Sequence, residues 1–355
     1  MSLPKFAATR SFHVELKNRI NHYFEATGKS TTGSTGLLSK AAILLLGFVV
    51  LYVHLVFFTP APMWALLEAV VLGGTIAAIG FNVMHDGAHG SFSQHKWLNN
   101  VAAFTLNVLG GSSYMWNAKH NLVHHMYTNI DGADDDIDIQ PWMRMSLEQK
   151  RHKLHRFQHL YFWFLYCLLY ISWIFVMDYQ KYFKRKIGTI AIKKMEVSDH
   201  LVFWGFKVLN LALYIGLPIY TLGFVNWLIG FAVVTSFAGL VLSLVFQLAH
   251  TVEHTAFPVP HATTNKLEDE WAIHQIKTTA NFATESRVIS WLVGGLNFQV
   301  EHHLFPKISH VHYPALSKII KQACAEFNVT YNEFPRMRQA VLSHVLFLRQ
   351  MGRAA

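Results

Sequence analysis

Five long apolar runs divide the chain, at about 37–58, 63–84, 157–178, 201–222 and 224–249. Each approaches the roughly 20 residues that a helix needs to cross the hydrocarbon of a bilayer. A shorter apolar run, about 97–112, contains Asn100, Asn107 and the paired glycines Gly110 and Gly111. It predicts a segment that lies in the interface or dips into it. Residues 1–40 are polar and mildly basic, with Lys5, Arg10, Lys17, Arg19, Lys29 and Lys40. Within them Ser30 to Gly36, rich in Gly, Ser and Thr, reads as a flexible lead-in. Past His250 the chain becomes more polar, and 307–355 reads as helical and soluble-facing. There is no internal repeat, and the one biased tract is the Asp-rich loop 131–138.

Charge decides how the runs cross, because Lys and Arg gather on the cytoplasmic side of membrane proteins. Lys150, Arg151, Lys153 and Arg156 precede the third run, and Lys181, Lys184, Arg185, Lys186, Lys193 and Lys194 follow it. Both flanks are therefore expected to be cytoplasmic, with 157–178 lying along or dipping into that leaflet without crossing. Four crossings remain, as two hairpins with outer turns at Phe58-Thr59-Pro60-Ala61-Pro62 and Thr221-Leu222-Gly223. The expected fold is all-α and integral to the membrane: about four transmembrane helices in two hairpins, plus interfacial helices, capped by a cytoplasmic helical domain. The expected division is a cytoplasmic N-terminal segment 1–36, a membrane domain 37–320 and a cytoplasmic helical tail 321–355, with both termini cytoplasmic.

Composition agrees. Of 355 residues, 52% are apolar and only 14% charged, where a soluble domain carries about 25% charged residues. The net charge of +9 could suggest nucleic acid. The basic residues flank apolar runs, however, so a lipid surface explains them and no nucleic-acid partner is expected. The two cysteines, Cys167 and Cys324, supply neither a disulfide framework nor a thiolate metal site. The N-terminus has no short apolar core followed by a small-residue cleavage site, so no secretory signal is expected.

Histidine changes the picture, with 22 copies of which nine form tight groups. His85 and His89 stand four apart, as do His120 and His124, and His250 and His254. Such pairs share one helix face and suit a single ion. His125 adjoins His124, and a neighbouring residue points about 100° away. It is expected to reach a second ion while His120 and His124 serve the first. His302 and His303 are adjacent, with Gln299 three residues before His302. One such pair arises easily by chance. Four groups, each at the edge of an apolar run or between two, are costly unless they have partners and mark a functional site. The scattered histidines read as ordinary, so His152 and His344 are expected to tolerate alanine. With no thiolate pair and no His-Glu-x-x-His, Cys-rich zinc and zinc-protease sites are excluded. Imidazole suits iron, copper, zinc or nickel, and eight histidines exceed what one ion accepts, so two ions are expected.

His85-Asp-x-x-His89, His120-Asn-x-x-His124-His125 and Gln299-x-x-His302-His303 resemble the three histidine boxes of membrane fatty acid desaturases. The resemblance spans roughly residues 60–320, and Gln299-Val-Glu-His-His-Leu-Phe-Pro306 is similar to the front-end branch (Δ5, Δ6 and Δ8). It implies a di-iron centre (Fe2+/Fe3+) capping an acyl tunnel, O2 as co-substrate reduced to water, and a cis double bond placed in an acyl chain carried on CoA or lipid. It also implies a further ligand after the last span, for which His250 fits best and His254 less well. Gln299 is a possible ligand. Asp86, Asn121, Asp134, Asp136, Asn281 and Glu301 are expected to hold the rings in one tautomer, although a solvated loop explains 131–138 equally well. The aromatic-rich 157–178 lines the tunnel or simply meets lipid. Many front-end enzymes carry a fused cytochrome b5 domain with His-Pro-Gly-Gly. That motif is missing here, so electrons are expected from a separate ferredoxin or cytochrome b5 with its reductase. The competing readings are a membrane hydroxylase or ketolase and, of another class, a metal-ion transporter. A transporter would place its histidines mid-span, where only His54 stands.

Overall fold

The computed structural model describes residues 3–9 and 11–354. Arg10, one of the basic residues of 1–40, lies outside them. The chain is mostly helical, and five helices are long and apolar enough to cross a membrane. In chain order the principal helices are α1 (Ser11–Thr27), α2 (Thr35–Phe58), α3 (Pro62–His89), α4 (Lys96–Val108) and α5 (residues 113–127). The next three are α6 (Lys153–Lys184), α7 (Val197–Leu222) and α8 (Phe224–His250). They are followed by α9 (Trp271–Lys277), α10 (Arg287–Leu292), α11 (Gln299–Leu304), α12 (Tyr313–Glu326) and α13 (Met337–Arg353). Two minimal sheets accompany them. Lys186–Ile187 pairs antiparallel with Ile190–Ala191, and Asn281–Phe282 pairs parallel with Glu333–Phe334.

Both turns expected between the paired runs form. Thr59 takes a left-handed conformation (φ 43°) and Pro62 opens α3. Gly223, at φ 78° and ψ 159°, turns α7 into α8 in a region that glycine tolerates and other residues avoid. α4 turns Asn99 and Asn107 inward and Trp97, Val101 and Phe104 outward, as suits a helix lying against lipid. It packs closely on α3 because Gly87 has no side chain: a Cβ there would stand 2.6 Å from that of Ala102 and 2.8 Å from Asn99 O.

The two ends of α6 are tied to one short stretch of chain. At its start, Gln158 accepts from Arg144 N and donates to Arg144 O, both at 2.9 Å. At its end, Lys181 pairs with Asp135 at 3.2 Å. Between them the helix leans on α8, where Ser243 Oγ donates to Tyr166 O at 3.3 Å. Its last turns run beside α7, where Lys207 pairs with Asp178 at 2.9 Å and also donates to Gly110 O and Ile174 O.

Residues 11–36 are built into the structure, and Ser30 to Gly36 is not the flexible lead-in that its composition suggests. Phe12, Leu16, Ile20 and Phe24, one face of α1, bury against Ile276, Val300, Leu316 and Ile320. Ser30 to Gly36 is pinned by Gly33 N to Ser91 O at 2.9 Å and by Ser309 N to Thr31 O at 2.8 Å. α12 runs unbroken through residues 320 and 321. His344 is wholly buried. Its Nδ1 donates to Thr251 O at 2.7 Å and its Nε2 accepts from Tyr166 Oη at 2.7 Å. The reading of His344 as an ordinary scattered histidine misses these bonds, which alanine would remove from two buried partners.

Candidate metal centre

Eight of the nine grouped histidines converge where α3, α5, α8 and α11 end or begin. One set of ring nitrogens, from His85, His89, His120 and His302, lies within 4.8 Å of one another. A second set, from His124, His250 and His303, meets the same limit. His125 stands between the sets, its ring centroid 4.6 Å from His302 and 4.5 Å from His303. The adjacent pair His302–His303 is thus split between the two, with ring planes 87° apart.

His85 and His89 share a set, as their spacing predicts. His120 and His124 do not. Residues 118–124 wind in a wide, π-type turn, which brings residues five apart into register instead of four. His120 therefore meets His125, with Nε2 atoms 3.1 Å apart, and also His85 at 3.2 Å. His124 is left to face His250 and His303, at centroid distances of 4.8 Å and 5.0 Å. His254 does not join either set. It is exposed and lies parallel to the Phe334 ring at 6.3 Å. Gln299, in the first turn of α11, is buried, and its Oε1 has no hydrogen-bond partner among the described residues.

The rings are held from behind. His124 Nδ1 donates to Asp134 at 3.2 Å, His250 Nδ1 to Thr278 O at 3.2 Å and His303 Nδ1 to Gln275 Oε1 at 2.8 Å. His302 Nδ1 lies 3.1 Å from Tyr313 Oη. The oxygens of Asp134, Thr278 and Gln275 can only accept, so those three bonds fix the proton on the outer nitrogen, while the Tyr313 hydroxyl holds the His302 ring in place. The inner Nε2 of His124, His250, His302 and His303 is buried without a partner, as is that of His89. Buried polar atoms are rarely left unpaired, and neutral imidazole lone pairs converging in this way are what a divalent metal binds. Burial, reinforced by the neighbouring imidazoles, holds His120, His125, His302 and His303 well below the ordinary histidine pKa, so they stay neutral. For His124, burial acts the same way, but Asp134 and Asp136 outweigh it and raise the pKa. The residues present therefore fit two metal ions.

Of the acids and amides expected to orient rings, Asp134 does so directly, and Asp136 stands 3.5 Å from His124 Nδ1 while pairing with Lys119. Asp134 is buried, so the loop 131–138 is not simply solvated. The others act at one remove. Asp86 accepts from His310 Nδ1 and Ser309 Oγ, each at 2.9 Å, with His85 Nδ1 at 4.0 Å. Asn121 donates to Ala88 O at 3.2 Å and so fastens α5 to the end of α3. Glu301 accepts from Asn281 at 2.7 Å and Tyr331 at 2.6 Å. Burial pushes its carboxyl up to about 7, against those two bonds. Sequence reading missed Gln275, Tyr313, Thr278 and His310. Nothing marks the first three, which are ordinary residue types away from the histidine boxes, and His310 passed as a scattered histidine.

Comparison with known proteins accords with this geometry. A fatty acid desaturase family model matches residues 60–335. The chain is 36% identical to an sn-1 linoleoyl-lipid 6-desaturase of Arthrospira platensis, over 98% of this chain and 94% of that protein. It is 38% identical to an sn-1 linoleoyl-lipid 6-desaturase of Synechocystis sp., over 99% and 98% of the two chains. An acyl-lipid (8-3)-desaturase of Physcomitrium patens is 31% identical, over 98% of this chain and 72% of its own length. With a family match over most of its length and relatives aligned nearly end to end, the chain belongs to the fatty acid desaturase family and is a desaturase enzyme.

Proposed function

We propose that the enzyme introduces a cis double bond near the carboxyl end of an acyl chain carried on a membrane lipid, at the 6 position on a linoleoyl substrate. The observation that carries this reading is the histidine cluster of two sets, in a chain that aligns over nearly its full length with two linoleoyl-lipid 6-desaturases. In the proposed centre His85, His89, His120 and His302 hold one iron and His124, His250 and His303 the other, with His125 between and Gln299 Oε1 available to the cluster. Two bound iron ions supply the redox chemistry that uses O2 to remove hydrogen from adjacent methylenes. The protein's part is to aim the ligand nitrogens, through Asp134, Thr278, Gln275 and Tyr313, and to exclude water.

A cavity of about 610 Å3 supports an acyl substrate. Its wall includes Leu72, Ile76, Tyr170, Ile174 and Trp227, drawn from α3, α6 and α8. Three tyrosine hydroxyls on the wall are turned away into the backbone: Tyr52 donates to Leu213 O at 2.5 Å, Tyr214 to Val108 O at 2.8 Å and Tyr170 to Leu109 O. Lys207 and Asn210, also on the wall, are engaged by Asp178 and Asn107 O, and the largely apolar remainder suits a hydrocarbon tail. Leu109 and Gly110 line this cavity, and a few residues on Trp116 stacks on His120 at 4.4 Å. One stretch of chain thus joins the cavity to the cluster.

The topology proposed with this function has four crossings, α2, α3, α7 and α8, with α6 in the cytoplasmic leaflet. The stretch that ties both ends of α6 includes the exposed Asp138, and such a loop is not tolerated in hydrocarbon. The iron cluster and both termini then face the cytoplasm.

A ferredoxin or a cytochrome b5 with its reductase supplies the electrons. The test is turnover by the purified, iron-loaded enzyme in lipid bilayers. A linoleoyl lipid and O2 alone should give no sustained product, and addition of a reduced carrier should start it. Many turnovers without reductant, or product that is hydroxylated rather than desaturated, would contradict the proposal.

A further inference from the structure

Outside the iron cluster and the acyl cavity, one surface is built from features that the desaturase chemistry does not use. It lies where α6 begins and α13 ends. Lys150, Arg151, Lys153, Arg156, Arg349 and Arg353 are all exposed there. The two segments are fastened together. Arg151 Nε donates to Gly352 O at 3.2 Å, and the buried Arg144 donates to Met351 O at 3.2 Å and Ala354 O at 2.8 Å.

Two observations set this surface apart. The first is a concentration of cations on two fastened segments that carry almost no carboxylate. Some cations elsewhere pair with acids, as Arg19 does with Glu326 at 2.5 Å, Lys277 with Asp269 at 2.8 Å and Lys321 with Glu333 at 2.6 Å. Among the described residues, none of the six makes an ion pair. Glu148 is the only carboxylate between Asp138 and Asp178, and none follows Glu333. The second is apolar exposure in the same place. Leu160 and Phe164 are each 66% exposed, and Trp142, Leu154 and Phe157 are exposed beside them. Arg156 lies over the Phe157 ring at 4.7 Å.

We propose that this surface binds the headgroups of anionic phospholipids. Exposed aromatic and aliphatic side chains seat in the acyl region while long cationic side chains reach up to phosphate, the arrangement by which a surface settles at a lipid interface. Unpaired Lys and Arg at that level attract anionic lipid. An acidic protein partner would match the charges but not the apolar side chains among them, so lipid is the occupant. The inference rests on the interfacial course of α6 proposed above. Its consequence reaches the iron cluster through α13. That helix carries His344, which is bonded to Thr251 O, and Thr251 follows His250. A headgroup held by Arg349 and Arg353 keeps α13 seated against this wall.

The test compares the enzyme with an R156Q/R349Q/R353Q variant, each in nanodiscs of phosphatidylcholine with and without phosphatidylglycerol. Lipid retained on the protein after detergent extraction is identified by mass spectrometry. The parent should retain phosphatidylglycerol in excess of its share of the bilayer, and the excess should fall as salt is raised. The variant should lose most of it, at about fivefold per charge removed. A K29Q/K307Q/K318Q variant, with the same charge change elsewhere on the cap, should retain it. Equal retention by parent and patch variant, or equal loss in the control, overturns the proposal. So does a patch variant that keeps the lipid but accepts electrons more slowly from an acidic carrier, which would make the surface a protein dock. Desaturation by the parent in phosphatidylcholine alone tests the enzymatic reading separately, so failure of one is distinguishable from failure of the other.

Discussion

His303 Nδ1 lies 2.8 Å from Gln275 Oε1, so the ring donates backward to a buried amide and turns its Nε2 into the histidine cluster. Gln275 sits on α9, on a segment that carries no histidine box. Replacing it with Leu keeps the volume and removes the acceptor. Loss of such an orienting partner costs roughly 10–100-fold in metal affinity or activity. Gln275→Leu should therefore bind the second iron more weakly, read as iron per chain after dialysis against a chelator. Retention of two irons under conditions that leave the parent fully loaded would remove Gln275 from the site.

The division of the cluster into two sets makes a sharper claim. His120→Ala should disturb the iron that His85 and His302 share, and His124→Ala the iron of His250 and His303. Mössbauer spectra of the two variants should differ in which of the two iron signals is lost, and both variants should lose desaturation. His254→Ala should retain both signals and activity. The same iron signal lost in both variants would return the cluster to the simple four-apart pairing.

Most of the architecture was legible in the sequence, and the failures have physical causes. The five apolar runs and both outer turns follow from composition and from residues that tolerate only a few backbone conformations. The histidine boxes stand out because an imidazole at the edge of a span is expensive without a partner. The expected grouping of His120 with His124 differs from the sets in the structure because an ordinary helix was assumed, whereas 118–124 is wound wider. Ser30 to Gly36 was misread as flexible because its composition hides the bonds that Ser91 O and Ser309 N make to it in the folded chain. Gln275 and Tyr313 could not be found, since only the folded cap brings them to the rings.

His344 separates structure from chemistry. His344→Ala leaves the Tyr166 hydroxyl and Thr251 carbonyl unpaired in a buried site, at a cost of about 1–3 kcal/mol for each group. Thermal unfolding should occur at a lower temperature, while enzyme folded at low temperature should still hold iron. An unchanged melting temperature would show that water replaces the ring without loss.

Topology has its own measurement. Cysteines introduced near Pro60 and Gly223 should be labelled from outside intact cells, and cysteines near Lys186 and Glu268 should not. Labelling near Lys186 would show that α6 crosses the membrane. The cluster would then need a different explanation for how boxes on either side of that crossing meet.

Gln299 is buried with an unpartnered Oε1 at the start of the helix that bears His302 and His303. Gln299→Ala should lose most activity with the fold and most of the iron retained. Gln299→His should also be slower than the parent, because a ring would crowd the ions, and a displacement of about 1 Å can cost on the order of 100-fold in rate. Product is normalised to folded, iron-loaded protein. Full activity in Gln299→Ala would leave Gln299 a structural residue and leave the histidine sets untouched.

The central claim is that this chain desaturates a lipid-bound acyl chain through its histidine cluster. The most direct measurement is gas chromatography–mass spectrometry of membrane-lipid fatty acids from a linoleate-containing host that expresses either the parent or His303→Ala. The account predicts a new product with one additional cis double bond at position 6, esterified to lipid, in cells with the parent and none in cells with the variant. An unchanged fatty acid profile with folded, iron-loaded parent, or the same product in both strains, would contradict it.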